Sequence, residues 1–177
     1  WTYGEEVNNV NLGWDLIKES WPKIFTKNSW QKYLPLIIKS GETIGKINSA
    51  LAKKLKLNEK LLIISGTTSS NANFLASCIN KDEGLAILGS KIILQKNINN
   101  PIREKGVILE RLGDDWICRG ESNAGCRVLS KFFSDLEIKE LSRQINTSKQ
   151  TSLNLLPLNS KGERFPVNNA DLNPILG

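Results

Sequence analysis

Residues 61–95 read LLIISGTTSSNANFLASCINKDEGLAILGSKIILQ, and this stretch decides the fold. Four apolar residues, Leu61 to Ile64, predict a short strand of the buried type. Ser65-Gly66-Thr67-Thr68 breaks it. Ser69 to Cys78 then predicts a helix, with Ala72, Phe74, Leu75 and Ala76 available for packing. A second apolar run, Leu85 to Leu88, stops at Gly89-Ser90 and resumes as Ile92 to Leu94. The order is strand, polar turn, helix, strand, glycine turn, strand. Each turn brings backbone N–H groups and small hydroxyls to the end of a strand, which is where α/β proteins hold phosphates.

Upstream, Gly13-Trp14-Asp15 followed by Trp21-Pro22 reads as a loop, a short helix and a stop, because the residue before Pro is pushed out of the helical region. Leu34 to Ile38 and Thr43 to Ile47 are extended pieces separated by a turn at Lys39-Ser40-Gly41-Glu42. Asn48 or Ser49 caps a helix from about residue 50 to Leu57. Downstream, residues 97–101 form a polar loop. Gly106 to Leu112 and Trp116 to Gly120 predict strands joined by a Gly113-Asp114-Asp115 hairpin turn. A helix is expected from Ser122 to about Phe133, with Val128, Leu129, Phe132 and Phe133 at helical spacing, and a second from Leu136 to about Ile145. Leu153 to Leu158 reads as a short strand and the last twenty or so residues as loop. Strands mixed with helices in this order predict an α/β domain with a mixed sheet.

Composition narrows the function classes. Hydrophobic content of 40% and charged content of 24% are ordinary for a globular domain. No apolar run approaches the roughly 20 residues that span a bilayer, so no membrane partner is expected. The net charge of +6 raises nucleic acid as a partner, but the lysines are scattered among Asp and Glu. The densest group, Lys53, Lys54, Lys56 and Lys60, sits at one helix end and reads as a solvated face. No nucleic-acid module accompanies it. Cys78, Cys118 and Cys126 are isolated from one another and the chain has no His, which argues against a zinc site. Isolated cysteines in odd number suit a reducing compartment, cytoplasm or plastid stroma. The 177 residues contain no Met, and the chain reads as an internal piece of a longer protein.

Several segments, in order, carry a resemblance to a known family. Gly66-Thr67-Thr68-Ser69-Ser70-Asn71-Ala72-Asn73-Phe74-Leu75-Ala76 resembles the "GTTDSxAAFLA" turn of the FGGY carbohydrate kinases, and Ile87-Leu88-Gly89-Ser90-Lys91 resembles their "SLGST" turn. Arg111 to Trp116 with Ser122-Asn123-Ala124-Gly125 is similar to "RLGDxWLVGGxSNTGG". Leu156-Pro157-Leu158 through Gly162-Glu163-Arg164-Phe165-Pro166 is similar to "PLxxxGERFP". The cyanobacterial and plant D-ribulose kinase branch, which is xylulose kinase-like, is the nearest in pattern. The resemblance implies a ribonuclease-H-like half of an actin-like ATPase fold. Residues 1–57 would be the end of the first, sugar-side domain and the connection. Residues 58–177 would be an incomplete second, nucleotide-side domain. The missing N-terminal domain and C-terminal remainder would belong to the same chain.

The same resemblance implies ATP with Mg²⁺ and phosphorylation of a ketopentose at a terminal hydroxyl. D-ribulose is the nearest match and D-xylulose a competitor. It assigns the phosphates to Gly66, Thr67, Gly89, Ser90 and Gly125, and the sugar to Thr68 and Ser70, with no metal ligand in this piece. Lys91 stands where the branch has Thr, and Cys126 replaces a second glycine. The sharpest departure is Ser69, which occupies the position of the family's catalytic Asp. Serine has no useful basicity near neutral pH, and losing a general base typically costs about 10²–10⁴-fold in rate. Asp82 and Glu83 follow the helix, too far along it to substitute simply. Three readings stay open: a sugar kinase fragment, a catalytically impaired sugar- or nucleotide-binding relative, and a basic interaction module.

Overall fold

The computed structural model describes residues 2–77 and 80–176. The fold is mixed α/β, with parallel and antiparallel pairing both present. β1 (Tyr3–Glu5) pairs in parallel with β2 (Leu36–Ile38), Gly4 opposite Ile37. β3 (Thr43–Lys46) pairs antiparallel with β4 (Leu62–Ile64), with an irregularity between Thr43 and Gly45. A four-stranded sheet runs in the order β5-β6-β8-β7, built from β5 (Gly84–Leu88), β6 (Ile92–Ile98), β7 (Val107–Leu112) and β8 (Asp115–Ser122). The helices are α1 (Lys23–Thr26), α2 (Ser49–Leu55), α3 (Ser69–Ser77) and α4 (Asp135–Gln144). The chain divides into two compact units. The first comprises Trp1–Ile79, Asn97–Pro101 and Leu109–Ile117, and the second Asn80–Lys96, Ile102–Ile108 and Cys118–Gly177.

Local chemistry explains most of these elements. Asn48 caps α2, its side chain accepting from Leu51 N, and the helix closes on Lys56 in the left-handed region. Ser134 and Glu137 form a capping box that starts α4. Gly113 at φ +61° turns β7 back into β8, as the Gly/Asp composition predicts. In the first unit a row of aromatic rings packs edge to face and then stacked: Trp14 on Trp21 at 5.3 Å and Trp21 on Phe25 at 6.4 Å are T-shaped, and Phe25 stacks on Trp30 at 5.7 Å.

Four expectations are corrected. The short helix near Trp21 lies after Pro22, not before it. Pro has no N–H to lose at a helix start, while Asp15 Oδ1 accepts from Ile17 N and Lys18 N and holds 15–20 as a turn. The stretch after Ser122 is not one long helix. β8 runs through Ser122, and only Cys126–Lys131 turns, as a 3₁₀ helix, because 122–125 are tied elsewhere. Leu153 to Leu158 forms no strand; Leu156 and Leu158 make single bridges, to Ile175 and Ala124, around Pro157, which cannot donate to a ladder. Finally, β4 is not buried. It pairs with β3 in a two-stranded ladder, and Leu62, Ile63 and Ile64 are 48%, 40% and 54% exposed.

The packing face of α3 also differs. Asn71 and Phe74 are buried, whereas Ala72, Leu75 and Ala76 are exposed. Cys78, where the sequence ends that helix, lies outside the described residues.

Candidate functional site

In the first unit, β4 delivers the chain to the turn that opens α3. Gly66 is exposed, and a Cβ on it would meet nothing within 4 Å. Nothing among the described residues therefore requires glycine there. Thr68, half-buried, accepts at its hydroxyl from Asn71 N (3.2 Å), and its carbonyl accepts from Ala72 N (3.0 Å), so it starts the helix. Ser69, at the position where a carboxylate is expected, is the exposed first residue of α3. Ser70 Oγ, Ser65 Oγ and Asn71 Oδ1 are buried with no hydrogen-bond partner among the described residues. Each orphan of this kind costs about 1–3 kcal/mol.

Thr67 is the most connected residue of the turn. Its Oγ1 accepts from Asn71 Nδ2 at 3.3 Å and lies 3.2 Å from Ser40 Oγ. Ser40 Oγ donates to Glu5 Oε1 at 2.6 Å. The Glu5 carboxylate also accepts from Val7 N, Asn8 N and Asn8 Nδ2. Asn71, fully buried, spends its second amide hydrogen on the Arg111 carbonyl at 3.1 Å. Arg111 in turn grips buried Glu6 through Nε, at 3.1 and 3.0 Å to the two carboxylate oxygens, and through Nη2. It donates to Glu19 through Nη1 at 2.8 Å and lies 5.2 Å from the Trp116 ring centroid. The hydrogen bonds to Glu6 hold the Arg111 guanidinium above its already high ordinary pKa, against the opposing effect of burial.

In the second unit, Gly89-Ser90-Lys91 joins β5 to β6 and is held by backbone. Gly89 N donates to Lys91 O (3.0 Å), Cys126 N to Gly89 O (2.9 Å) and Ile92 N to Ala124 O (2.9 Å). Gly125 lies against this turn. A Cβ there would stand 2.6 Å from Ser90 O and 2.8 Å from Gly89 O and Lys91 Cα. Glycine is required at 125 by close approach of backbone to backbone. Among the described residues, the N–H groups of Ser90 and Lys91 and the Ser90 hydroxyl have no partner. The Lys91 ammonium is bonded to Glu121 Oε1, and Arg119 donates to Glu121 Oε2 at 2.7 Å. The bond from Lys91, against burial, and the charge of Arg119 hold the Glu121 carboxyl below the usual carboxylate range.

Glu163 fixes the approach to Gly125. It accepts from Ser122 Oγ (2.6 Å), Asn123 N (2.9 Å), Arg164 N (2.6 Å) and Phe165 N (3.3 Å). Burial pushes its carboxyl up, and these four donors more than offset that, leaving it below the ordinary value. This is what the Gly162-Glu163-Arg164 segment does in the fold.

The structure thus brings Gly66, Thr67, Thr68, Ser69 and Ser70 together in one turn, and Gly89, Ser90 and Gly125 together in another. Sequence reasoning missed Glu5, Ser40, Asn71 and Glu121, whose partners lie far along the chain. Among the described residues no group of three His, Cys, Asp or Glu side chains is placed to hold a metal ion. Nor is any helix long and apolar enough to cross a membrane.

No protein-family profile matches the sequence. The fold itself is shared with solved carbohydrate kinases. The chain superposes over 98% of its length on a xyloylose kinase from Brucella ovis, with a TM-score of 0.81 at 19% identity. It superposes over the same share on a ligand-bound xylulose kinase from Lactobacillus acidophilus (TM-score 0.71, 16% identity) and on a gluconate kinase from the same organism (TM-score 0.71, 17% identity). In each case it spans 38% of the kinase chain.

Proposed function

We propose that this chain is the portion of a carbohydrate kinase that carries its two phosphate-facing turns. The whole protein then transfers a phosphoryl group from ATP to a terminal hydroxyl of a ketopentose, D-ribulose or D-xylulose. The observation that carries the reading is the 89–91 turn. It offers two unspent N–H groups and a hydroxyl, on a backbone locked by Gly125, to an anion. Donors fixed in advance are what phosphoryl transfer needs, since its catalysis is mostly positioning and electrostatics. The open space at Gly66 leaves room for a second polar contact at the other turn.

In this reading Ser90 and Lys91 bind phosphate oxygens through N–H and O–H. Gly66 and Thr67 bind phosphate through backbone N–H at their turn, which leaves the Thr67 hydroxyl to the sugar, and Thr68 and Ser70 bind sugar hydroxyls. ATP, when bound, supplies the phosphoryl group, and Mg²⁺ is carried with it. The exposed apolar faces of β4 and of Leu75 and Leu88 are surface for the remaining parts of such a kinase to cover.

A second reading, a relative that binds sugar or nucleotide without turnover, is favoured by the exposed Ser69 where a carboxylate is wanted. The deciding assay is ATP-dependent phosphorylation of D-ribulose and D-xylulose by the full-length protein and by its Ser69→Asp form. Turnover by the unaltered protein supports the kinase; turnover only after substitution supports the binding relative. Absence of turnover in both forms, with no ATP binding, ends the kinase assignment.

A further inference from the structure

The turn holds a hydrogen-bonded route from its own surface to a carboxylate, and counting protons gives that route a direction. An ionised glutamate accepts only, so the 2.6 Å contact between Ser40 Oγ and Glu5 Oε1 uses the single hydroxyl proton of Ser40. The 3.2 Å contact between Ser40 Oγ and Thr67 Oγ1 is then made with the proton of Thr67. Asn71 Nδ2 donates to the same Thr67 oxygen at 3.3 Å and is itself fixed by the Arg111 carbonyl. Thr67 is half-buried and two residues before Ser69. Its proton therefore points inward to Ser40, and the proton of Ser40 points on to Glu5.

We propose that Thr67, Ser40 and Glu5 form a proton relay that replaces the carboxylate missing at position 69. The inference rests on the kinase reading. In the step, the O–H bond of a sugar hydroxyl seated on Thr67 breaks as its oxygen bonds to the transferred phosphorus. The proton passes to Thr67 Oγ1, the proton of Thr67 passes to Ser40 Oγ, and that of Ser40 passes to a Glu5 oxygen. The P–O bond to ADP breaks, and ADP leaves with the electron pair. Asn71 is a positioning residue, which keeps Thr67 facing Ser40. Because every member is a side chain of the same compact unit, the route is set by this unit's own packing.

The experiment measures kcat and KM for ketopentose phosphorylation by the full-length protein. Ser40→Ala cuts the wire while leaving the other three bonds of Glu5 in place. It is expected to lower kcat about 10²–10⁴-fold with little change in KM. Glu5→Gln, checked for folding by circular dichroism, should give a similar loss. In a Ser69→Asp background a carboxylate acts directly, so the penalty for Ser40→Ala should shrink at least about tenfold from its size alone. An equal penalty in both backgrounds would mark Ser40 as merely structural and overturn the relay. So would an unaffected Ser40→Ala enzyme, or activity that appears only with Ser69→Asp. If neither Ser69 nor Asp at 69 supports phosphorylation of either ketose, the kinase reading falls and the relay falls with it.

Discussion

The two turns are held in place by opposite means. The turn at 66–70 is held by side chains: Ser40, Thr67 and Asn71 link it to Glu5 and to the Arg111 carbonyl. The turn at 89–91 is held by backbone, with Gly125 pressed on its carbonyls and Glu163 fixing the residues before it. A side-chain frame binds Thr67 and Thr68 but leaves Gly66, whose Cβ would meet nothing within 4 Å, exchangeable. A backbone frame leaves no room for a methyl group. Serine at 69 is compatible with the first kind of site, while Gly125 is not negotiable in the second.

The largest effect should come from the anchor of the side-chain frame. Arg111→Leu leaves Glu6, 1% exposed, as an unpaired buried charge and should cost about 3–5 kcal/mol in urea denaturation. Gly125→Ala, which drives a methyl into three backbone atoms, should cost about 1–3 kcal/mol or more, read the same way. Asn71→Ala strips the Thr67 hydroxyl and the Arg111 carbonyl of a donor and should cost about 1–3 kcal/mol, with faster amide exchange at the start of α3.

Acid separates the frames further. The folded pKa of Glu163 is depressed, so the unfolded chain takes up its proton first as pH falls. Its contribution is present above the ordinary glutamate pKa of about 4.3 and is lost as pH drops through the lower folded value. A Glu163→Gln protein should show a flatter decline of melting temperature over that window. The smallest effect is expected at Gly66→Ala, within about 0.5 kcal/mol of the parent. A loss as large as that at Gly125 would erase the distinction between the frames.

What was legible in the sequence was local. The apolar run before Ser65, the capping Asn48, the Gly113 hairpin and the boundary at Ser134 each act within four or five residues, and each appears where the pattern puts it. The parallel β1–β2 pair was not legible, since Tyr3–Glu5 is short and polar and its partner lies more than thirty residues on. The 3₁₀ turn at Cys126–Lys131 escaped because apolar residues three and four apart suit both helix types. What keeps Ser122 and Asn123 out of the helix is Glu163, which holds them from 41 and 40 residues away. At the candidate site the hydroxyl-rich turn announced itself, but its supports did not. Ser40 reaches Glu5 across 35 positions, and Arg111 reaches Glu6 across 105.

The row of aromatic rings has a practical use. The four described tryptophans, Trp14, Trp21, Trp30 and Trp116, belong to the first compact unit, and no described residue of the second is a tryptophan. Intrinsic emission during a denaturant titration therefore follows one unit alone, while far-ultraviolet dichroism follows both. Coincident curves would mean that the pair melts as a single cooperative body; separated curves would give each its own midpoint without any label being attached.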